Sequence, residues 1–431
     1  MRNSLYDSYF YKVWRFLFLN RQKWEISKTS IGRIFQRFYI PYATEVLIFV
    51  SIIIFWYEGL ITRYWASFPS DWLGITCLIL ALLFADKKKM FFGKPQLYLL
   101  IFYLFIGISG IFALIRGLDP TMVFKGFLLF LQFGLVLFAA QSLESKKKVI
   151  DGILVLSLPI SVISIYQFLS NTQTSHLWLS PGELQLTRVF AFFGSPNVLG
   201  ILMAMISILS FGSFLKSKKY YYLIPSGLSV LATGFTFSRS AWLGLVMALA
   251  IGIVIYNYKY LIFSPLILLG LIIPQVRNRI EISLSGNYLM DSSLDGRIWA
   301  LINGLYIFKR YPFIGAGPGS YGGKLAANYA SPIYLQGIQN GYTALYFTDN
   351  QYLEILVQGG IIGFLSFCGF IISVITSLIQ TYRRNKDILV LTGLAVFVCF
   401  LTGGLFANVL EFGAIAVPMA IILGMSLSEN D

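Results

Sequence analysis

Charge is scarce in this sequence. Only 12% of its 431 residues are Asp, Glu, Lys or Arg, where an ordinary soluble domain carries about 25%. That shortage, beside 57% hydrophobic residues, excludes a water-soluble enzyme of usual composition. Acidic residues are the scarcer sign, 19 against 33 basic, for a net charge of +14. In a soluble chain this surplus would point to nucleic acid. Here most of it lies in short segments between apolar runs, so the membrane is the expected partner and nucleic acid is not. Histidine occurs once, at His176 beside Trp178, where stacking or solvation is the plainer role. Cys77, Cys368 and Cys399 all fall in apolar runs and form no Cys-x-x-Cys, which argues against a disulfide framework or a thiolate metal site. No metal or other cofactor is expected.

Long apolar runs are abundant. Runs of about 20 residues mark membrane-crossing helices, and 96–115, 149–169 and 351–379 are clear cases. The expected fold is an all-α polytopic membrane protein. Its twelve spans run at roughly 42–60, 70–85, 96–115, 121–141, 149–169, 190–214, 220–235, 239–256, 260–274, 349–380, 388–407 and 411–427. Several are short or long for a straight crossing, so breaks are expected, with Pro196 and Pro418 as candidate positions. The chain then divides into a tail (1–41), nine spans (42–273), one long polar loop (274–348) and three spans (349–431). The first 39 residues hold eight Lys/Arg against Asp7 and Glu25 and lack the pattern of a cleavable signal peptide. They read as an amphipathic helix on an anionic leaflet, with Trp14, Phe16, Leu17 and Phe18 dipping in. A cytosolic tail is the plainer alternative.

Lysines and arginines set the orientation. With the tail inside, 22 of the 33 basic residues fall in cytoplasmic segments. Both termini then face the cytoplasm of the inner (cytoplasmic) membrane, and the long loop faces out. The outward positives need a separate explanation. Arg188 precedes the sixth span and Arg239 opens the eighth, flanked by Ser238 and Ser240. Helix N-termini point at that face, and they carry partial positive charge and free N–H groups. A guanidinium adds a fork suited to phosphate oxygens. Snorkelling to lipid headgroups is the bland alternative. The long loop carries Arg277, Arg279, Arg297, Lys309, Arg310 and Lys324 among many aromatics. Residues 294–311 read as an amphipathic helix with Ile298, Leu301, Ile302, Leu305 and Phe308 on one face, started near Asp295 and ended by Pro312. Its aromatic density suits sugar rings or an interfacial belt.

Two further motifs stand at the same face. Gly315, Gly317 and Gly319 lead to Tyr321 without the Lys-Ser/Thr of a phosphate loop, and read as a turn that lets backbone approach backbone or ligand. Asp349 and Asn350 open the tenth span, and either residue type caps a helix well. Glu354 follows four residues after Asn350, one turn into the bilayer, where a carboxylate needs a partner or a task.

Residues 194–200 and 236–244, Arg297 with Trp299, the glycine turn, and residues 349–361 together resemble the Wzy/WaaL superfamily, the bacterial O-antigen polymerases and ligases. The motifs cover roughly 190–365, and the topology covers the whole chain. The resemblance implies a GT-C-like membrane glycosyltransferase using a polyprenyl-diphosphate-linked oligosaccharide at the outer face. Membrane lipids, a chain-length regulator and a flippase are the other implied partners. Arg239 and Arg297 match the family's diphosphate-contacting arginines, with Arg188, Arg277 and Arg279 as further candidates. Asp349 matches its catalytic position, and Glu354 is the second catalytic candidate. Ser238, Asn197, Gly317, Tyr321 and Asn350 are expected to meet the glycan or shape the turn beside it. Ligases usually carry His where this chain has Asp349, which favours the polymerase branch. A ligase and a polysaccharide-lipid transporter are the alternatives, although the polar residues crowd one face rather than the midplane.

The chemistry is coherent without a metal. A sugar hydroxyl attacks the anomeric carbon with inversion, and the lipid diphosphate leaves, stabilised by arginines and helix N-termini. Asp349, with an ordinary pKa of about 3.9, is the expected acceptor of the hydroxyl proton.

Overall fold

The computed structural model describes residues 24–25, 36, 39–64, 70–174, 187–257, 277, 281, 297–329, 331 and 348–428. Most of the tail, the ninth span, His176, Arg279, Asp295 and about half of the long loop lie outside the described residues. Fourteen α-helices form the described chain. They are α1 (Ala43–Trp56), α2 (Glu58–Tyr64), α3 (Ser70–Phe84), α4 (Lys94–Ile115), α5 (Pro120–Ala140), α6 (Lys146–Leu169), α7 (Pro196–Ser217), α8 (Leu223–Phe235), α9 (Arg239–Asn257), α10 (Arg297–Arg310), α11 (Lys324–Asn328), α12 (Gln351–Asn385), α13 (Ile388–Gly404) and α14 (Gly413–Ser428). Trp24–Glu25 pairs antiparallel with Phe91–Phe92 in a two-residue ladder.

Six helices, α4, α5, α6, α7, α9 and α12, are long and apolar enough to cross a membrane. Helices α1, α3, α13 and α14 are apolar but shorter. The helices pack as α4 on α12, α9 on α13, α7 on α8 and α13, and α5 on α14. α7 is buried along most of its length, as are α13 and α14, whereas α9 is the least buried of the six long apolar helices. Exposed Leu, Ile and Val on the outer helices match a lipid-facing surface.

Neither proline breaks a helix. Pro196 sits in the first turn of α7, where its missing N–H would have had no partner in any case. α14 runs through Pro418. The Ala414 carbonyl that Pro418 cannot bond accepts the Trp56 indole N–H at 2.9 Å.

The break falls in α12 instead, at Gly360 (φ 65, ψ −173). α12 has 35 residues, about 50 Å at 1.5 Å per residue, more than a bilayer core of about 30 Å. The glycine turn takes up the freed backbone groups. Ala316 N–H donates to the Val357 carbonyl at 2.8 Å, Gly317 N–H to the Gln358 carbonyl at 3.1 Å, and Ile361 N–H to the Pro312 carbonyl at 2.8 Å. A Cβ on Gly315 would collide with backbone at Gln358, and one on Gly360 with the Phe313 carbonyl. Arg116 closes the junction by donating to the Gly315 and Ala316 carbonyls at 3.1 and 2.9 Å. The expectation of backbone meeting backbone holds.

α10 forms within the expected 294–311 helix, starting at Arg297. Leu301, Ile302 and Leu305 are exposed, and the buried face is Ala300, Asn303, Gly304 and Ile307. Small residues let α10 lie close to α12, so the larger side chains point away.

Candidate functional site

The N-termini of α7, α9 and α12 meet the turn between α13 and α14 at one end of the bundle. Ser195 caps α7 and accepts the Asn197 N–H at 3.2 Å. Asn350 caps α12, its Oδ1 accepting the Tyr352 and Leu353 N–H groups at 3.0 Å each. Capping falls to Asn350 alone, so Asp349 is released for another task. Its backbone is left-handed (φ 47), a conformation Asp tolerates better than most residues.

Arg188 is 5% exposed. Its Nε donates to the Thr236 carbonyl at 3.0 Å and an Nη to Asn197 Oδ1 at 3.0 Å. Its backbone exchanges two hydrogen bonds with the Thr174 hydroxyl. Asn197 Oδ1 also accepts the Ser238 hydroxyl at 3.0 Å, and Ser238 and Ser240 hydroxyls lie 3.0 Å apart. One network thus ties the segment before α7 to the starts of α7 and α9. Burial lowers the Arg188 pKa to about 10, helped by the nearby charges of Arg239 and Arg297. The guanidinium stays cationic at neutral pH, so three like charges converge here. Arg239 opens α9 half-buried.

Arg297 opens α10 and donates to Asp349 Oδ2 at 3.2 Å and to the Phe406 carbonyl at 3.4 Å. Its guanidinium lies 5.7 Å from the Phe406 ring centroid. Both partners of the ion pair remain partly accessible, 36% and 30%. Desolvation pushes the Asp349 carboxyl above the ordinary carboxylate range, while Arg297 and then Arg188 pull it back.

Glu354 has no exposed surface. Its oxygens accept Gln351 Nε2 at 2.9 Å, Asn408 Nδ2 at 2.6 Å and Gln358 Nε2 at 3.1 Å. Its side chain also hydrogen-bonds Glu411. The task that depth demanded is thus met by a buried polar network. Gln358 passes that network to the glycine turn, accepting Gly319 N–H at 2.9 Å and donating to the Tyr321 carbonyl at 2.6 Å. Tyr321 is fully buried and donates its hydroxyl to the Ala300 carbonyl. Gly317 lies inside the turn. Arg277 pairs with Glu281 at 2.7 Å in an exposed local contact.

A cavity of about 630 Å3 opens beside this network. Asp349, Asn197, Asn408, Glu411, Lys125 and Phe192 are among its lining residues. That volume falls in the range of about 300–1,000 Å3 seen for small-molecule sites. Sequence reasoning missed Asn408 and Glu411. The available signal was their polarity between two apolar runs, the same signal that singled out Glu354. Among the described residues no three His, Cys, Asp or Glu side chains come together as a metal site.

Fold and site define a polytopic membrane protein with a cationic recess and a polar chamber at one end of its helices. Residues 224–368 match the family model Wzy_C, described as O-Antigen ligase. The match bears out the resemblance to the Wzy/WaaL superfamily over α8 to the first half of α12 and does not divide polymerases from ligases. It includes Arg239, Arg297, Asp349 and Glu354, whereas Arg188, Asn408 and Glu411 lie beyond it. No curated protein matches the chain.

Proposed function

We propose that this protein is a membrane glycosyltransferase that joins oligosaccharide repeat units carried on a polyprenyl diphosphate, at the outer face of the cytoplasmic membrane. The observation that carries this reading is the convergence of Arg188, Arg239 and Arg297 at the N-termini of three helices, beside a chamber that holds a carboxylate. Diphosphate oxygens are met by guanidinium forks and helix N-termini. Asp349 stands between the two, paired with Arg297 and lining the chamber. The acceptor hydroxyl passes its proton to Asp349 as its oxygen bonds to the anomeric carbon. The bond from that carbon to the diphosphate breaks, and the lipid diphosphate leaves with the electron pair. Product configuration is inverted.

The presence of Asp349 where ligases carry His supports the polymerase branch, while the matched family's description keeps a ligase as the second reading. Purified protein supplied with lipid-linked repeat units separates them. A polymerase yields a mass ladder from its own donor. A ligase yields product only when a foreign acceptor is added. No glycan transfer under either condition removes the proposal.

A further inference from the structure

The arginines and Asp349 account for the anionic part of a donor but leave the turn between α13 and α14 without a role. That turn brings Asn408 and Glu411 to the wall of the same chamber. A carboxylate there would repel phosphate, so Glu411 does not belong to the diphosphate grip. Its carboxyl group lies directly against Gly323, in the space that any side chain at that position would occupy. Behind it stands Glu354, hydrogen-bonded to it and itself fixed by Gln351, Gln358 and Asn408. The chamber wall thus carries a carboxyl group able to hydrogen-bond hydroxyls.

Phe192, Phe193 and Phe412 line the same cavity as Glu411. An apolar aromatic face beside a fixed hydrogen-bonding edge complements a sugar ring, which has a C–H face and a hydroxyl rim. Glu58, Asp71 and Asp349 also line the cavity, and Lys125 is the one cation among its described lining residues. The Lys125 ammonium lies 5.8 Å from the Trp72 ring centroid and 5.5 Å from that of Tyr329. The balance of charge disfavours an anionic ring.

We infer that Glu411, held in place by Glu354 and by the bare backbone of Gly323, is the specificity-determining residue that hydrogen-bonds the hydroxyls of an uncharged acceptor sugar. This deepens the glycan-transfer reading and rests on it. Full-length protein in nanodiscs is titrated with methyl glucoside and methyl glucuronide by saturation-transfer NMR, and separately with undecaprenyl diphosphate. Wild type should prefer the neutral glycoside. Glu411→Ala should weaken it roughly tenfold or more, the loss of a hydrogen bond to a charged group. Glu411→Gln should lose less, because the amide still offers a donor and an acceptor. Gly323→Ala, which displaces the carboxyl group, should follow Glu411→Ala. All three should keep undecaprenyl diphosphate binding, which shows that they are folded. Asp349→Asn should keep glycoside binding while losing turnover. The inference is overturned by a wild type that binds neither glycoside or prefers the glucuronide, or by Glu411→Ala binding as wild type does. Failure of wild type to bind undecaprenyl diphosphate, with the glycoside pattern intact, would remove the transferase reading and leave the sugar site standing.

Discussion

The two ends of the helix bundle carry the same sign of charge and handle it in opposite ways. At one end the cations are mostly lysines on short connections. Lys216, 45% exposed, reaches Asp387 at 3.0 Å in a surface pair. Lys87 is the buried exception, and its ammonium donates to the carbonyls of Leu82, Leu83 and Ala85 that end α3, with its pKa lowered to about 8 by burial. Local structure consumes that charge. At the other end Arg188 is buried and aligned by Thr236 and Asn197, and Arg297 is held by Asp349. These cations converge beside the chamber that Asp349 lines. The lesson is that lysines here orient or cap, whereas the arginines are arranged for something that enters.

The largest effect that would sharpen this contrast lies at Asp349. Asp349→Asn should cut turnover by roughly 10²–10⁴, the usual contribution of a positioned base, while donor binding persists. The wild-type pH profile should report the same group. Because desolvation raises the Asp349 pKa, its basic form is present at high pH and lost as pH falls through that raised value. The acid limb of kcat should then lie above the ordinary carboxylate range of about 4. Full activity of Asp349→Asn in a turnover assay would move the base elsewhere on the chamber wall.

A smaller effect is expected at the junction that shapes the arginine end. Gly360→Ala forces a side chain into a conformation that costs roughly 1–3 kcal/mol, and its Cβ would strike the Phe313 carbonyl. Thermal unfolding in detergent should show a clear loss of stability. Unchanged unfolding would mean that the break in α12 is not needed. The smallest effect belongs to the lysine end. Lys216→Ala removes an exposed pair worth about 0–1 kcal/mol and should leave both unfolding and glycan transfer unchanged. A large loss of transfer there would erase the distinction between the two ends.

Apolar run length made the helices legible. Eleven of the twelve expected spans fall on described helices, six of them long and apolar enough to cross a membrane, and the ninth, 260–274, lies outside the described residues. Short-range chemistry was legible too: Asn350 as a cap, the glycine turn as a backbone contact, Glu354 as a residue with partners. Breaks were misjudged because proline signals only a missing donor, and Trp56, which repairs the gap at Pro418, is 358 positions from the carbonyl it bonds. Where the apolar face of α10 would point was not legible. Apolar periodicity tells which side is greasy and does not tell whether that side meets protein or lipid. The partnership of Glu411 with Glu354 was hidden because the two are far apart in sequence, and only the fold brings them together.

The proposed reaction requires the arginine end to grip a diphosphate, and direct binding of undecaprenyl diphosphate to purified protein tests that grip. Wild type should bind, and Arg239→Ala and Arg297→Ala should each weaken binding by roughly tenfold to a hundredfold, as loss of a charge-assisted contact implies. Lys216→Ala should bind as wild type does. Equal binding by wild type and both arginine variants would contradict the account.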